Sequence, residues 1–373
     1  MDIDKYATTS FAVETTSAAV GSSAAMPVHE HGELITSRRG FFWVGVERAS
    51  SPAGTVARGP MYVYWEAPEE VRHPYPIVLI HGGGGQGLDW LGTPDGRPGW
   101  ATYLVQEGYA VYVVDRPGHG RASLHPDVLG AMTPPFSYEL ARFLFMPPGS
   151  EGTAPNPTAE LHTQWPGDGE IGDPALDQFL ASAGPMVQDF AAAHALESAR
   201  GAELLDRIGP AILMTNSGGG PAGWATADAR PGVVKAIVAV EALPAFFENP
   251  DLGVSLDWGL AACPLTYDPP VSDPLELRSP GAQHQLVNLR GVPIAIVTSE
   301  ASFLGLGDAD TVAFLQRTGC DVEHLRLADH GVHGNGHLMM MERNNREALQ
   351  PILDWLRGHE NSVMRDGAAG SEV

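Results

Sequence analysis

A serine set between an apolar run and a string of glycines is the first residue of this chain whose setting suits chemistry. In "ILMTNSGGGPAGW", Ile212 to Met214 read as a buried strand, and Gly218 onward as a tight turn into a small-residue helix through Ala222, Ala225 and Ala227. Ser217 falls on the turn. A hydroxyl held there lies outside the backbone ladder, at the carboxyl edge of a sheet, which suits a nucleophile; the plainer alternative is a glycine-rich loop with an incidental serine. A nucleophile needs a base, and four histidines gather near the C-terminus: His324, His330, His333 and His337. No set of carboxylates and histidines there shares a helical face at ligand spacing, so a general base is expected and a metal is not. The "GNG" before His337 gives a turn able to aim its ring across the sheet edge, which makes His337 the expected base and His333 the reserve. His81 and His119 fit turn or supporting positions better.

The base in turn needs a carboxylate, and two compete. Glu300 follows the predicted seventh strand, while Glu241 ends the sixth in "IVAVEALPAFF". Topology alone favours Glu300, but "ASFLGLGDAD" after it reads as a surface loop in which an acid needs no special partner. Glu241 terminates an apolar strand one strand beyond Ser217, where a carboxylate needs a partner that the imidazole of His337 can supply. Glu241 is therefore expected to be the acid. The run "HGGGGQG" (81–87) formally satisfies a dinucleotide fingerprint through Gly82, Gly84 and Gly87, with Asp115 ending the next strand. That fingerprint requires the last glycine to open a helix, and the prolines and glycines of "LDWLGTPDGRPGW" are expected to break any helix before Trp100. A nucleotide-dependent oxidoreductase is thus a weak alternative. The same turn suits an oxyanion hole, with one N–H from Gly83 and another from Gly218.

These residues need elements to position them. Eight runs read as strands: 41–47, 61–67, 76–81, 109–115, 211–216, 234–241, 292–299 and 322–328. The first two look like an antiparallel pair joined by a turn-rich segment, and the later ones alternate with helical patterns at 186–206, 220–229, 309–318 and 343–357. An α/β fold follows, with a mostly parallel eight-stranded sheet and helices on both faces. Two connections, about 121–185 and 243–290, are too long for simple crossovers and read as lid insertions leaving the carboxyl side of the sheet. Their apolar residues, Trp165, Phe246 and Phe247 among them, are expected to line a pocket for an apolar or aromatic substrate. Residues 33–373 form one domain in this reading, and residues 1–32 a loosely ordered or partner-contacting arm.

Composition narrows the partners. The chain has 373 residues, 43% of them hydrophobic, and a formal charge of −23, which disfavours nucleic acid and anionic membrane surfaces. Cys263 and Cys320 lie far apart without ligand spacing and are expected to be packed, reduced thiols. The N-terminus contains no uninterrupted apolar stretch of signal-peptide or membrane-span length, so a soluble cytoplasmic protein is expected.

The strand order together with "HGGGG", "VVDRPGHGRA", "TNSGGG", "IVAVE", "GVHGNGH" and "MMMERNN" resembles α/β-hydrolase esterases, especially a bacterial group with a Ser-His-Glu triad whose glutamate follows the sixth strand. The resemblance covers roughly residues 33–360. It implies an α/β-hydrolase fold, a serine hydrolase of small-molecule esters acting through Ser217, His337 and Glu241, no metal and no organic cofactor, and it admits a homodimer. Zearalenone-type lactonases share a glutamate in this topological place, so a lactone also fits. An acyltransferase would use the same parts, and a catalytically silent ligand-binding protein would keep only the fold. One departure stands out: the first glycine of the usual Gly-x-Ser-x-Gly turn is Thr215 here, where strand and helix approach closely.

Overall fold

The computed structural model describes residues 35–122, 125–149, 156–250, 253–279 and 281–369. The expected N-terminal arm lies outside them. Eight strands form one sheet: β1 (Ser37–Val44), β2 (Met61–Pro68), β3 (Ile77–Ile80), β4 (Val111–Asp115), β5 (Ala211–Asn216), β6 (Val234–Val240), β7 (Pro293–Thr298) and β8 (Asp321–Arg326). Their spatial order is β1-β2-β4-β3-β5-β6-β7-β8. β2 pairs antiparallel with β1 and β4, and every other pairing is parallel. This is the mostly parallel eight-stranded sheet with helices on both faces that the alternation of strands and helices predicts.

The central strands are apolar throughout because both of their faces are covered, and their side chains divide by the two-residue period of a strand. Ile77, Leu79, Ile212, Met214, Val238 and Val240 face one core; Val78, Ile80, Leu213, Ile237 and Ala239 face the other. The first core is closed by α1 (Trp100–Gln106) and α5 (Asn345–Ala369), through Trp100, Leu104, Leu349 and Ile352. The second is closed by α2 (Phe190–Ile208), α3 (Gly220–Ala229) and α4 (Asp308–Arg317), through Leu204, Leu205, Ala222, Trp224 and Phe314. α2 has its amino end capped by the Asp189 carboxylate, which accepts from Ala192 N.

Two local expectations need correction. The segment between β1 and β2 is more than a turn, because Glu47–Ser51 pairs antiparallel with Gly54–Arg58 in a small ladder of its own. Gly54, at φ +113°, closes it in a backbone region that side chains avoid. The prolines and glycines after Gly87 also do not suppress all helix: Leu88–Leu91 forms a single turn before the chain breaks. Cys263 and Cys320 are both buried free thiols.

Candidate active site

Ser217 follows the last residue of β5 and precedes α3, and its φ is +50°. A non-glycine residue in the left-handed region holds strain of about 1–3 kcal/mol, which persists only where the surroundings fix the backbone. They do so by close approach. A Cβ on Gly219 would lie 2.3 Å from the carbonyl oxygen of His81, and one on Gly218 would lie 2.9 Å from the nitrogen of Gly83. The serine turn and the glycine run after β3 are thus packed backbone against backbone, which brings the amides of Gly83 and Gly218 to one place. Thr215 is accommodated from the helix side: a Cβ on Gly223 would stand 2.5 Å from Thr215 Cγ2, so the space that the usual strand glycine leaves is supplied by a helix glycine.

Glu241 directly follows β6, also at positive φ (+48°), and is fully buried. Its Oε1 accepts from Ser299 N at 2.6 Å and from Ser299 Oγ at 2.8 Å. Its Oε2 lies 3.6 Å from His337 Nδ1, and neither of these buried atoms has another partner among the described residues. This separation is longer than a hydrogen bond, but each atom is the nearest answer to the other's unmet need. The Asn216 side chain donates to Val240 O at 3.2 Å, and Leu243 N donates to Ser217 O at 3.1 Å, so the serine turn and the glutamate turn are tied together.

His337 sits in the long loop between β8 and α5, with the ring of Phe145 stacked on it at 5.4 Å and Phe303 at 5.5 Å. The buried carboxylate of Glu342 braces that loop. It accepts from Gly336 N at 3.0 Å and from Asn335 Nδ2 at 2.8 Å, and meets His162 Nε2 at 2.7 Å. Ser217 and His337 border one small recess together with Gly82, Gly83 and Asn216.

The competing acid and base are found together, but elsewhere. Glu300 meets His333 Nδ1 at 3.3 Å and accepts from Gly334 N at 3.0 Å, and the His333 side chain is 60% exposed. This pair fastens the outside of the loop. His81 is buried, with its Nε2 accepting from Arg116 N at 3.1 Å, as expected of a turn residue. His324 Nε2 pairs with Thr298 Oγ1 at 2.8 Å.

A cavity of about 830 Å³, counted out to its open mouth, is lined by Gly83, Ser217 and Gly218 together with Phe136, Met186 and Phe247. Phe247 thus stands where the sequence puts it. Trp165 and Phe246 do not. Trp165 is buried against Phe179 and donates its Nε1 to Asp173 at 2.9 Å, because a buried indole N–H must find an acceptor. Phe246 turns to Phe314 at 5.0 Å, under the Arg278 guanidinium. Sequence reasoning missed Ser299, the Phe145–Phe303 pair around His337 and the Glu342 brace. "MMMERNN" marked the region of the brace without showing that its glutamate points inward.

A family model described as alpha/beta hydrolase fold matches residues 75–291. A fungal protein named "Probable secreted lipase phiG", from Fungal sp. (strain ATCC 74256), is 35% identical over 352 residues, covering 89% of this chain and 92% of its own length. The chain belongs to the α/β-hydrolase family. A bacterial esterase described as novel and solved at atomic resolution aligns with a TM-score of 0.66 over 89% of this chain and 99% of its own, at 24% identity, a likeness that speaks to fold alone. The fungal relative also overturns the expected cytoplasmic location, since its name makes it a secreted protein. That expectation rested on the lack of an apolar run near the N-terminus, and such a lack does not fix a compartment.

Proposed function

We propose that this α/β hydrolase is a serine esterase that cleaves an apolar or aromatic carboxylic ester, open or cyclic, through an acyl-enzyme. The observation that carries the reading is the arrangement of three groups: Ser217 at φ +50°, and His337 Nδ1 facing the free oxygen of buried Glu241 at 3.6 Å, with serine and histidine bordering one recess. Ser217 Oγ attacks the ester carbonyl while His337 Nε2 takes the hydroxyl proton, and Glu241 orients the ring and stabilises its charged form. The N–H groups of Gly83 and Gly218 receive the developing oxyanion, an effect of about 3 kcal/mol for one such donor. Collapse of the tetrahedral species breaks the C–O bond, and His337 returns the proton to the leaving alkoxide. Water, deprotonated by the same histidine, then releases the acid and frees Ser217.

The name of the fungal relative, a probable secreted lipase, agrees with ester cleavage. The segments 121–185 and 243–290 are proposed to set specificity, because Phe136 and Phe145 from the first and Phe247 from the second border the cavity beside Ser217. The test is a panel of short-chain, long-chain and aromatic nitrophenyl esters with a small set of lactones. Turnover is expected for the wild type and its loss for Ser217→Ala. Activity that survives in Ser217→Ala would refute the reading.

A further inference from the structure

The cavity at Ser217 is apolar over most of its wall, yet four buried polar side chains border it. From α2 come Phe190, Ala193, His194 and Glu197, at i, i+3, i+4 and i+7 of one helical face, and the segment after β4 adds Arg116 and His119. Arg116, His119, His194 and Glu197 are 4%, 6%, 2% and 2% exposed. Arg116 Nη1 donates to Glu197 Oε1 at 2.7 Å, and its Nη2 donates to Gly82 O at 2.8 Å, so this ion pair leans directly on the turn that carries Gly83. Three polar atoms here lack a partner among the described residues: Arg116 Nε, Glu197 Oε2 and His119 Nε2. Buried polar atoms normally find partners, and three in one cluster without a protein partner mark a place that favours a polar group.

The chemistry that such a place favours can be read from these atoms. His119 Nδ1 faces Pro117 O at 3.1 Å, and a carbonyl only accepts, so Nδ1 carries the proton and Nε2 is an acceptor. His194 Nδ1 accepts from Ala262 N at 3.1 Å, which leaves its Nε2–H as a donor. Burial, aided by the nearby Arg116 charge, holds both rings neutral, His119 well below the ordinary histidine range and His194 down to about 3. Arg116 and Glu197 cancel each other's charge. An incoming carboxylate would meet Glu197 and an incoming ammonium would meet Arg116, so a full charge is disfavoured. A hydroxyl can do both, accepting from a donor such as Arg116 Nε–H and donating to an acceptor such as Glu197 Oε2 or His119 Nε2.

We propose that Arg116, His119, His194 and Glu197 form a subsite for a neutral hydroxyl on an otherwise apolar substrate, so that the preferred esters are hydroxy esters. This rests on the esterase reading above. A site with unpaired buried polar groups discriminates strongly against an analogue that lacks the matching hydroxyl, far more than an apolar pocket discriminates by one methylene. The tie to Gly82 sets the subsite beside the oxyanion turn.

The test compares kcat/KM for matched esters measured by titration of released acid. Ethyl hexanoate is set against its 3-hydroxy and 6-hydroxy derivatives, and hexyl acetate against the monoacetates of 1,3- and 1,6-hexanediol. At least one hydroxylated ester is expected to exceed its parent by about tenfold or more. That ratio should fall towards one in His119→Leu and in the double variant Arg116→Met/Glu197→Leu. His119→Leu leaves the ion pair standing and carries the test if the double variant does not fold. Parents turned over as fast as all their hydroxylated counterparts would overturn the subsite while leaving the esterase reading intact. So would a hydroxyl preference that both variants retain. If the whole set is inert and Ser217 is also unreactive towards a fluorophosphonate, the esterase reading fails and the subsite falls with it.

Discussion

Glu241 and Glu300 pose the sharpest question about individual residues, and their environments separate them. Glu241 is fully buried, with one oxygen occupied by Ser299 and the other turned towards His337, whereas Glu300 holds the exposed His333 and the amide of Gly334. A neutral amide at position 241 would keep the shape but lose the charge that, in the proposed triad, stabilises the imidazolium and selects its tautomer. Glu241→Gln is therefore expected to lower kcat by about 10³–10⁴-fold, as loss of the orienting carboxylate does in serine proteases. Glu300→Gln should stay within about twofold, since an exposed pair of this kind contributes little. Steady-state kinetics on one nitrophenyl ester decides between them, and the reverse ranking would transfer the role to Glu300. The burial of Glu241 was legible in the sequence, because a charged residue at the end of "IVAV" has no cheap place to go. It could not disclose Ser299, whose partnership with Glu241 arises only because β6 and β7 are neighbours in the sheet.

At the scale of elements, the strands were legible because their cores are two-sided and their ends abrupt. β5 and α3 begin and end where the apolar and small-residue patterns do. The ladder between β1 and β2 was not legible, because "RASSPAGTVARG" buries too little to impose an apolar alternation. Trp165 and Phe246 fall outside the lining of the cavity at Ser217, because an aromatic residue in a long insertion serves equally well as the anchor that docks the insertion or as the wall of a pocket. Thr215 looked like a defect in the serine turn until its counterpart across the strand–helix contact was seen. That complementarity is testable as a double-mutant cycle. Gly223→Ala should destabilise the fold by about 1–3 kcal/mol through overpacking, and Thr215→Gly should rescue most of that loss although it is itself destabilising. Denaturant titration of the two single variants and the double variant reads the coupling, and strictly additive effects would show that the two sites do not share the space.

For the whole molecule, buried neutral histidines and buried carboxyls pull the response to acid in opposite directions. His194 is held down to about 3, chiefly by burial and then by Arg116, and His81 and His119 lie well below the ordinary range for the same leading reason. A depressed folded value means that the unfolded chain takes up the proton first. The stabilisation is thus complete above the unfolded value of about 6.5 and is lost as pH falls towards the folded one, at about 1.4 kcal/mol per pH unit for each such group. The three histidines should contribute a fall in melting temperature on acidification from pH 7 to pH 5, opposed by Asp89, which burial pushes up to about 7 and which takes up its proton in the folded chain over the same range. His194→Leu should flatten that fall by removing one of the contributing groups, and an unchanged slope in the variant would show that His194 is not held neutral. The acidic surface, at −23 overall, was legible at once and speaks to partners rather than to fold. The compartment was not legible, because it was argued from something the sequence lacks.

The account stands on Ser217 as the nucleophile, and covalent labelling tests it most directly. The purified chain is incubated with a fluorophosphonate ester, digested, and mapped by peptide mass. The account predicts one adduct, on Ser217, with loss of labelling in Ser217→Ala and strongly slowed labelling in His337→Ala. An adduct on Ser299 or Ser302 with Ser217 unmodified, or steady ester turnover by a chain that no such reagent labels, would contradict it.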